Sequence, residues 1–190
     1  MGKLVEPNHD LTTIHTLVWD QFIRALAKKN HPYRTCAFTT TGPNSRMVIL
    51  RAVDLKRKIL TFYTDSRSSK YAEILKQPLV SLLFWHPTSR FQSKLSAKAT
   101  LNLHNDETKN HWNRVGAKAR ESYNTNLAPG EEISSFNKYD LKPELDSEHF
   151  CVINCEVREM EILQLNREGH TRARFLYKNS DVIKRSFLIP

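Results

Sequence analysis

Arg46 and Lys70 frame the part of this sequence best equipped for chemistry. Arg46 opens an apolar run, Arg46-Met47-Val48-Ile49-Leu50-Arg51, that carries a cation at each end. A second apolar run ends in Phe62-Tyr63-Thr64. The stretch Asp65-Ser66-Arg67-Ser68-Ser69-Lys70 follows and supplies hydroxyls, a guanidinium fork and an ammonium where a helix should begin. A phosphomonoester carries nearly two negative charges and three acceptor oxygens. Groups of this kind hold it well, together with the free N–H groups of a helix start. The chemistry open to this segment is anion capture, with a phosphate as the first candidate. The same residues also describe a capped surface helix with incidental cations, and composition alone does not separate the two.

Other reactive residue types form no comparable group. The three cysteines, Cys36, Cys151 and Cys155, are odd in number and widely spaced, with no CxxC pair. That argues against a disulfide framework. Cys151 and Cys155 share strand parity and read as a reduced, half-buried pair. The eight histidines are scattered without ligand spacing, so no metal site is expected. His86, in Trp85-His86-Pro87, reads as a strand end. Trp112 and Arg120 lie in a polar segment where either could meet a ligand, although packing explains Trp112 equally well. His170 and Arg172 are candidates for an anionic group, against the plainer reading of a solvated strand face.

These residues need elements to position them. Apolar spacing of three and four predicts a helix over residues 10–29, capped by Asp10 or Thr12 and ended at Asn30-His31-Pro32. Strands are predicted at 33–40, 45–54, 59–64, 79–85, 91–103, 150–165, 170–178 and 181–190. Lys56-Arg57-Lys58 has the length of a hairpin loop. A short helix is predicted over 68–77, with Ser68 or Ser69 as cap and Pro78 as stop. Another is predicted over 105–121, starting at Asn105 or Asp106. Residues 122–148 form the one long irregular stretch, and such loops are often functional or mobile. The picture is a single mainly β domain over residues 1–190, a closed barrel with a few flanking helices.

Charge narrows the partner. The formal net charge is +9. Residues 24–70 hold eleven basic and two acidic residues, which is the whole excess. A localised excess points to an anionic partner: nucleic acid, an anionic membrane surface or a phosphorylated small molecule. Roughly a quarter of the chain is Leu, Ile, Val or Phe, enough for a core and outside the range of disorder. The longest apolar runs are far shorter than the ~20 residues of a membrane span. The start MGKLVEPNHD has no apolar signal region. A cytoplasmic protein with no membrane partner is the expectation.

Taken in order, Arg46–Arg51, Phe62-Tyr63-Thr64, Ser68-Ser69-Lys70, Pro78-Leu79-Val80-Ser81-Leu82-Leu83-Phe84-Trp85 and Arg90-Phe91-Gln92 resemble the pyridoxamine 5'-phosphate oxidase family of FMN-binding split barrels. Arg174-Phe175-Leu176-Tyr177 and the terminal Leu188-Ile189-Pro190 resemble that family's ending. The resemblance implies an FMN-bound homodimer with the flavin at the subunit interface. It implies that Arg46 and Lys70, with Ser69, hold the FMN phosphate. The run Met47, Val48, Ile49, Leu50 and Arg51 would follow the flavin ring and offer main-chain N–H groups to it. Tyr63 and Thr64 would meet the ribityl-phosphate, Gln92 the cofactor, and Arg174 would reach it from the C-terminal hairpin. No catalytic base need be visible, because the cofactor carries the redox chemistry.

Several departures separate the chain from the authentic oxidase. That enzyme has Lys where Arg51 stands, and Arg before its phosphate-binding Lys where this chain has Ser69. Arg67 is close enough in sequence to substitute. Its substrate-binding Arg-x-His reads here in reverse, as His170-Thr171-Arg172. The residue over the flavin in that hairpin falls on Leu163 or Gln164. These residues imply an FMN-dependent oxidoreductase that moves hydride from a small donor to FMN, with Arg51, Arg172, His170, Trp112 and Arg120 as substrate contacts. The alternatives are an authentic pyridoxamine or pyridoxine 5'-phosphate oxidase, and a basic β-barrel that binds nucleic acid without flavin.

Overall fold

The computed structural model describes residues 2–190. Asp10 starts the first helix, its Oδ1 accepting the Thr13 N–H at 2.7 Å. The helix, α1, runs Leu11–Ala27. Ile14, Val18, Trp19, Phe22 and Ala25 recur at helical spacing and are all buried. Phe22 meets the rings of Tyr33 and Phe84, with centroids 5.3 and 4.9 Å away, and so joins α1 to the core of the sheet.

The strands follow as β1 (Thr35–Thr39), β2 (Ser45–Ile49), β3 (Ala52–Asp54) and β4 (Ile59–Asp65). Helix α2 (Ser69–Lys76) separates these from β5 (Leu79–His86) and β6 (Phe91–Asn102). After α3 (Asp106–Trp112) and α4 (Ala117–Arg120) come β7 (Phe150–Gln164), β8 (Thr171–Lys178) and β9 (Asp181–Leu188). All pairings are antiparallel, in the order β2-β1-β5-β6-β7-β4-β3, with β8 on β7 and β9 on β8. Strand β7 is long enough to pair with β4 through Phe150–Glu156 and with β8 through Glu159–Gln164.

The sheet closes through the chain itself. β3 follows β2 directly, and Arg51 N–H donates to Thr61 O at 2.8 Å, tying the junction to β4. Beyond that point the outer edge of β2 pairs with no other strand among the described residues, so the barrel is split there. Closure explains why the predicted strand 45–54 is two strands. Val48 and Leu50 fill the interior, and the chain must bend at Leu50-Arg51 to leave β1 and join β4. The hairpin between β3 and β4 is as expected, with Arg57 N–H on Asp54 Oδ1 and Lys58 in the left-handed region at φ 54°.

The other boundary that moves is the predicted helix 105–121. Asn105 caps α3 by accepting the Thr108 N–H at 2.9 Å. The helix stops after Trp112, and Gly116 caps a new one, α4. The break turns Trp112 inward against Phe150 and Tyr123, a small second core beside the barrel. The cysteines also differ from the expectation. All three are free thiols, and they are fully rather than half buried.

Candidate functional site

β4 sorts two adjacent side chains into two different places, because successive strand residues point to opposite faces. Thr64 is buried beneath the start of α2, and Tyr63 lies beside α3.

Around Thr64 the donors of an anion cradle collect. Lys70 Nζ donates to Thr64 Oγ1 at 3.0 Å. Burial, and then Arg46 nearby, hold the Lys70 ammonium below its ordinary pKa. Ser68 occupies the N-cap position of α2 but gives its hydroxyl to Asp65 O at 2.7 Å, so no side chain caps the helix start. Ser69 is the exposed first residue of that helix. Arg46 reaches the same region from β2. Its Nη1 donates to Thr40 Oγ1 at 2.6 Å and to Asn44 O at 3.1 Å, and its Nη2 to Glu73 Oε2 at 3.0 Å. Two cations, two hydroxyls and an uncapped helix start are the donor set that a phosphate needs. The residues present fit an FMN phosphate.

The edge of β2 leads away from this cradle. Bonds from Thr40 N–H to Asn44 O and from Leu50 N–H to Arg34 O bracket the β1–β2 ladder. The bonded pairs are therefore Cys36 with Val48 and Phe38 with Arg46, which turns the main-chain groups of Met47 and Ile49 outward. The side chain of Met47 is 66% exposed. Val48 and Leu50 face the interior, so only their backbone neighbours are available along this edge.

A second, basic pocket lies around Tyr63. It holds about 200 Å³ and is lined by Arg34, Arg51, Tyr63, His111 and Arg114, with the backbone at Gly116 as one wall. Among the described residues no carboxylate lines it. The Arg51 guanidinium sits 5.2 Å from the centre of the Tyr63 ring. Tyr63 Oη and His111 Nδ1 are 2.8 Å apart. Burial pushes the Tyr63 hydroxyl up and the His111 imidazole down in pKa, with Glu107 opposing and Arg114 reinforcing the latter, so both are mainly neutral at pH 7. Burial and the neighbouring Arg51 likewise lower the Arg34 guanidinium below its ordinary value.

The remaining predicted residues divide. Trp112 is buried, and Arg120 stacks on its ring at 4.8 Å while donating to Val115 O and Trp112 O. Both side chains are engaged in packing. Arg172 is paired with Glu161 at 2.6 Å, and His170 Nδ1 accepts the Asn166 N–H within its turn. Neither lines the basic pocket. Arg67 does not substitute at the cradle: it grips Asp65 through two nitrogens and donates to Thr125 O, anchoring the 122–148 segment. Gln164 is buried and accepts the Leu4 and Val5 N–H groups.

Gln92 and Arg174 share a sheet face with Met47. Cross-strand pairs connect Met47, Ala37, Leu83, Lys94, Glu161 and Arg174 in one row, and Trp85, Gln92, Leu163 and Arg172 in the next. Arg174 is thus five strands from Met47, roughly 24 Å along the sheet at about 4.8 Å per strand. Missed from the sequence were Glu73, Thr40, Arg34 and His111 as members of the two sites, while Arg114 lies in the segment 112–122 where a substrate contact was expected. Only Glu73 carried a signal, its i+3 spacing from Lys70 on one helix face.

The fold is a split barrel, and the donors around Thr64 fit a phosphate. Residues 16–102 match the family model of the pyridoxamine 5'-phosphate oxidase, FMN-binding domain. That segment, which contains Arg46 to Gln92, is an FMN-binding domain of this type, and FMN is its cofactor. A pyridoxamine 5'-phosphate oxidase-related, FMN-binding protein from Nostoc punctiforme has a similar structure, with TM-score 0.74 and 19% identity over 91% of this chain and 96% of that one. PhzG from Burkholderia lata, in complex with tetrahydrophenazine-1-carboxylic acid, gives 0.70 and 18% over 93% and 92%. General Stress Protein 26 from Bacillus anthracis gives 0.50 and 14% over 78% and 98%. At these identities the likeness is one of fold. The search of curated proteins returned no match to this chain.

Proposed function

We propose that the protein is an FMN-dependent oxidoreductase that works as a homodimer on a small anionic substrate. One observation carries the reading: the run Arg46–Arg51 has a phosphate cradle at one end and a carboxylate-free basic pocket at the other. An extended chain of that length spans roughly 16 Å at about 3.3 Å per residue. Lys70, Arg46, Ser69 and the start of α2 hold the cofactor phosphate. The outward main-chain groups of Met47 and Ile49 line the edge along which the rest of the cofactor lies. When bound, FMN supplies two-electron transfer with the substrate.

The chain's own residues then bind and orient the substrate. Arg34, Arg51 and Arg114 hold its anionic group, a carboxylate or a phosphate. The Tyr63–His111 pair fixes one wall of the pocket, and its neutrality leaves the guanidiniums as the only charges there. The homodimer rests on the sheet face described above. Met47, Ile49, Leu83 and Trp85 expose apolar surface on it, a pattern typical of interaction surfaces. A second copy on that face would carry Gln92 and Arg174 to the first copy's cradle.

The test is direct. Purified protein should show flavin absorbance, or take up FMN saturably when titrated. Under anaerobic conditions, candidate donors are added and flavin bleaching is followed. Pyridoxamine and pyridoxine phosphate test the authentic oxidase. Reduced aromatic carboxylates, the class of compound that the PhzG structure contains, test the carboxylate arm. A chain that neither contains nor binds FMN overturns the proposal.

A further inference from the structure

Arg46 is the cation expected to meet the cofactor phosphate, yet both of its terminal nitrogens are spent on protein groups. Nη2 lies 3.0 Å from Glu73 Oε2, and Nη1 is shared between Thr40 and Asn44. Thr40 Oγ1 also donates to Glu73 Oε2, and Asn44 Nδ2 donates to Glu73 Oε1 at 3.0 Å. Thr40 and Asn44 therefore hold this carboxylate against the guanidinium. The side chains of Arg46 and Glu73 are only 23% and 21% exposed, so water screens the pair less than a surface ion pair. Glu73 is also three residues from Lys70 on α2, within range of its ammonium.

We infer that Glu73 is a built-in competitor for the cofactor phosphate, a carboxylate that neutralises Arg46 and so sets how tightly the cradle takes a phosphate. The inference rests on the reading of Arg46 and Lys70 as the phosphate cradle. Two cations and one carboxylate present less net charge to a dianion than two cations alone. A phosphate that engages Arg46 must share it with Glu73 or displace the carboxylate. The same carboxylate keeps Arg46 and Lys70, two like charges on neighbouring elements, from facing each other unopposed. It therefore stabilises the protein while weakening phosphate capture. A residue that merely orients Arg46 would act with the opposite sign on binding.

Glu73→Gln separates these roles, because the amide keeps an oxygen for Thr40 and removes the charge. FMN and riboflavin are titrated into flavin-stripped protein, reading flavin fluorescence, and thermal unfolding of the stripped protein is followed by circular dichroism. Glu73→Gln is expected to bind FMN about tenfold more tightly, the scale of one unit charge removed a few ångströms from a dianion in a partly solvated site. Riboflavin, which lacks the phosphate, should bind both proteins equally, and the stripped variant should melt at a lower temperature. Inorganic phosphate should raise the melting temperature of the variant more than that of the parent. Glu73→Asp, a shorter carboxylate that pulls back from Arg46, should move each readout the same way by less. Weaker FMN binding by Glu73→Gln, or an equal change for riboflavin, overturns the inference. Lys70→Met guards the underlying reading. If it leaves FMN affinity unchanged, the cradle assignment itself fails; if it weakens FMN while Glu73→Gln does not tighten it, only the role of Glu73 fails.

Discussion

Replacing Lys70 by Met should loosen the cofactor and firm the flavin-free protein at the same time. Met keeps the apolar stem and removes the ammonium. Lys70 Nζ makes one bond to the protein, to Thr64 Oγ1, and has no carboxylate within salt-bridge distance among the described residues. A charge-assisted bond to a phosphate contributes about 1.5–3 kcal/mol, so the FMN dissociation constant should rise roughly 10- to 150-fold. The effect on stability has the opposite sign. Burial and Arg46 depress the pKa of Lys70 in the fold. A base depressed in this way binds fewer protons folded than unfolded. Its charge penalises the fold at all pH below the folded pKa, and the penalty is relieved as pH climbs from the folded towards the unfolded value. Lys70→Met removes that penalty, so the flavin-free variant should melt higher at neutral pH and lose the parent's gain in stability at alkaline pH. Flavin fluorescence titrations with FMN and riboflavin, beside melts from pH 7 upward, measure both effects. Unchanged FMN affinity, or equal weakening of riboflavin, refutes the assignment of Lys70 to the phosphate.

Other perturbations probe the remaining parts. Arg51→Met should raise the apparent KM for an anionic donor by roughly 10- to 100-fold, the loss of one charge-assisted bond, while FMN affinity changes little; equal loss of FMN binding would put Arg51 at the phosphate instead. If Arg174 of one copy serves the cradle of the other, mixed dimers of Lys70→Met and Arg174→Ala should recover one high-affinity FMN site per dimer, which neither parent variant has. His15, packed against Phe175 and Tyr177, is held neutral by burial down to a pKa of about 4. The protein should lose stability as pH falls from 6.5 to 4, by up to about 3 kcal/mol, and His15→Gln should flatten that limb of a pH-dependent denaturation series. Burial pushes the Cys151 thiol up to about 12 and the other two higher, so a thiol reagent should label none of the three until denaturant is added.

How much of this was legible beforehand follows from the range of each interaction. α1, α2 and most strands rest on local signals: a capping aspartate, a stop at Pro78, alternation over 91–103. These lie within one element and survive folding with shifts of a residue or two. The split of 45–54 at Leu50-Arg51 does not, because only barrel closure onto Thr61 demands the bend. The break after Trp112 comes from a tertiary contact with Phe150. Sites behave likewise. Lys70 and Thr64 are six residues apart on one strand–helix unit, so their approach is local. Arg34 comes beside Arg51 through the β1–β2 pairing, where Leu50 N–H meets Arg34 O, whereas His111 and Arg114 arrive only because α3 and the residues after it fold back against β4, an approach no spacing in the chain encodes.

The localised charge can now be resolved residue by residue. Of the cations in residues 24–70, Arg24, Arg46, Arg57 and Arg67 have carboxylate partners at Asp20, Glu73, Asp54 and Asp65. Lys28, Lys29 and Lys56 are exposed, where water suffices. Four half-buried cations are left without a carboxylate among the described residues: Arg34, Arg51, Lys58 and Lys70. Lys58, expected in a solvated loop, instead lies 4.9 Å from the centre of the Trp19 ring, which accounts for it. Withdrawing a cation from water without a counter-ion is costly, and a fold that does so at three places has used part of its stability for something other than itself. Lys70 is in the cradle, and Arg34 and Arg51 are in the basic pocket. The excess charge is concentrated where a phosphate at one end of β2 and a second anion at the other would discharge it.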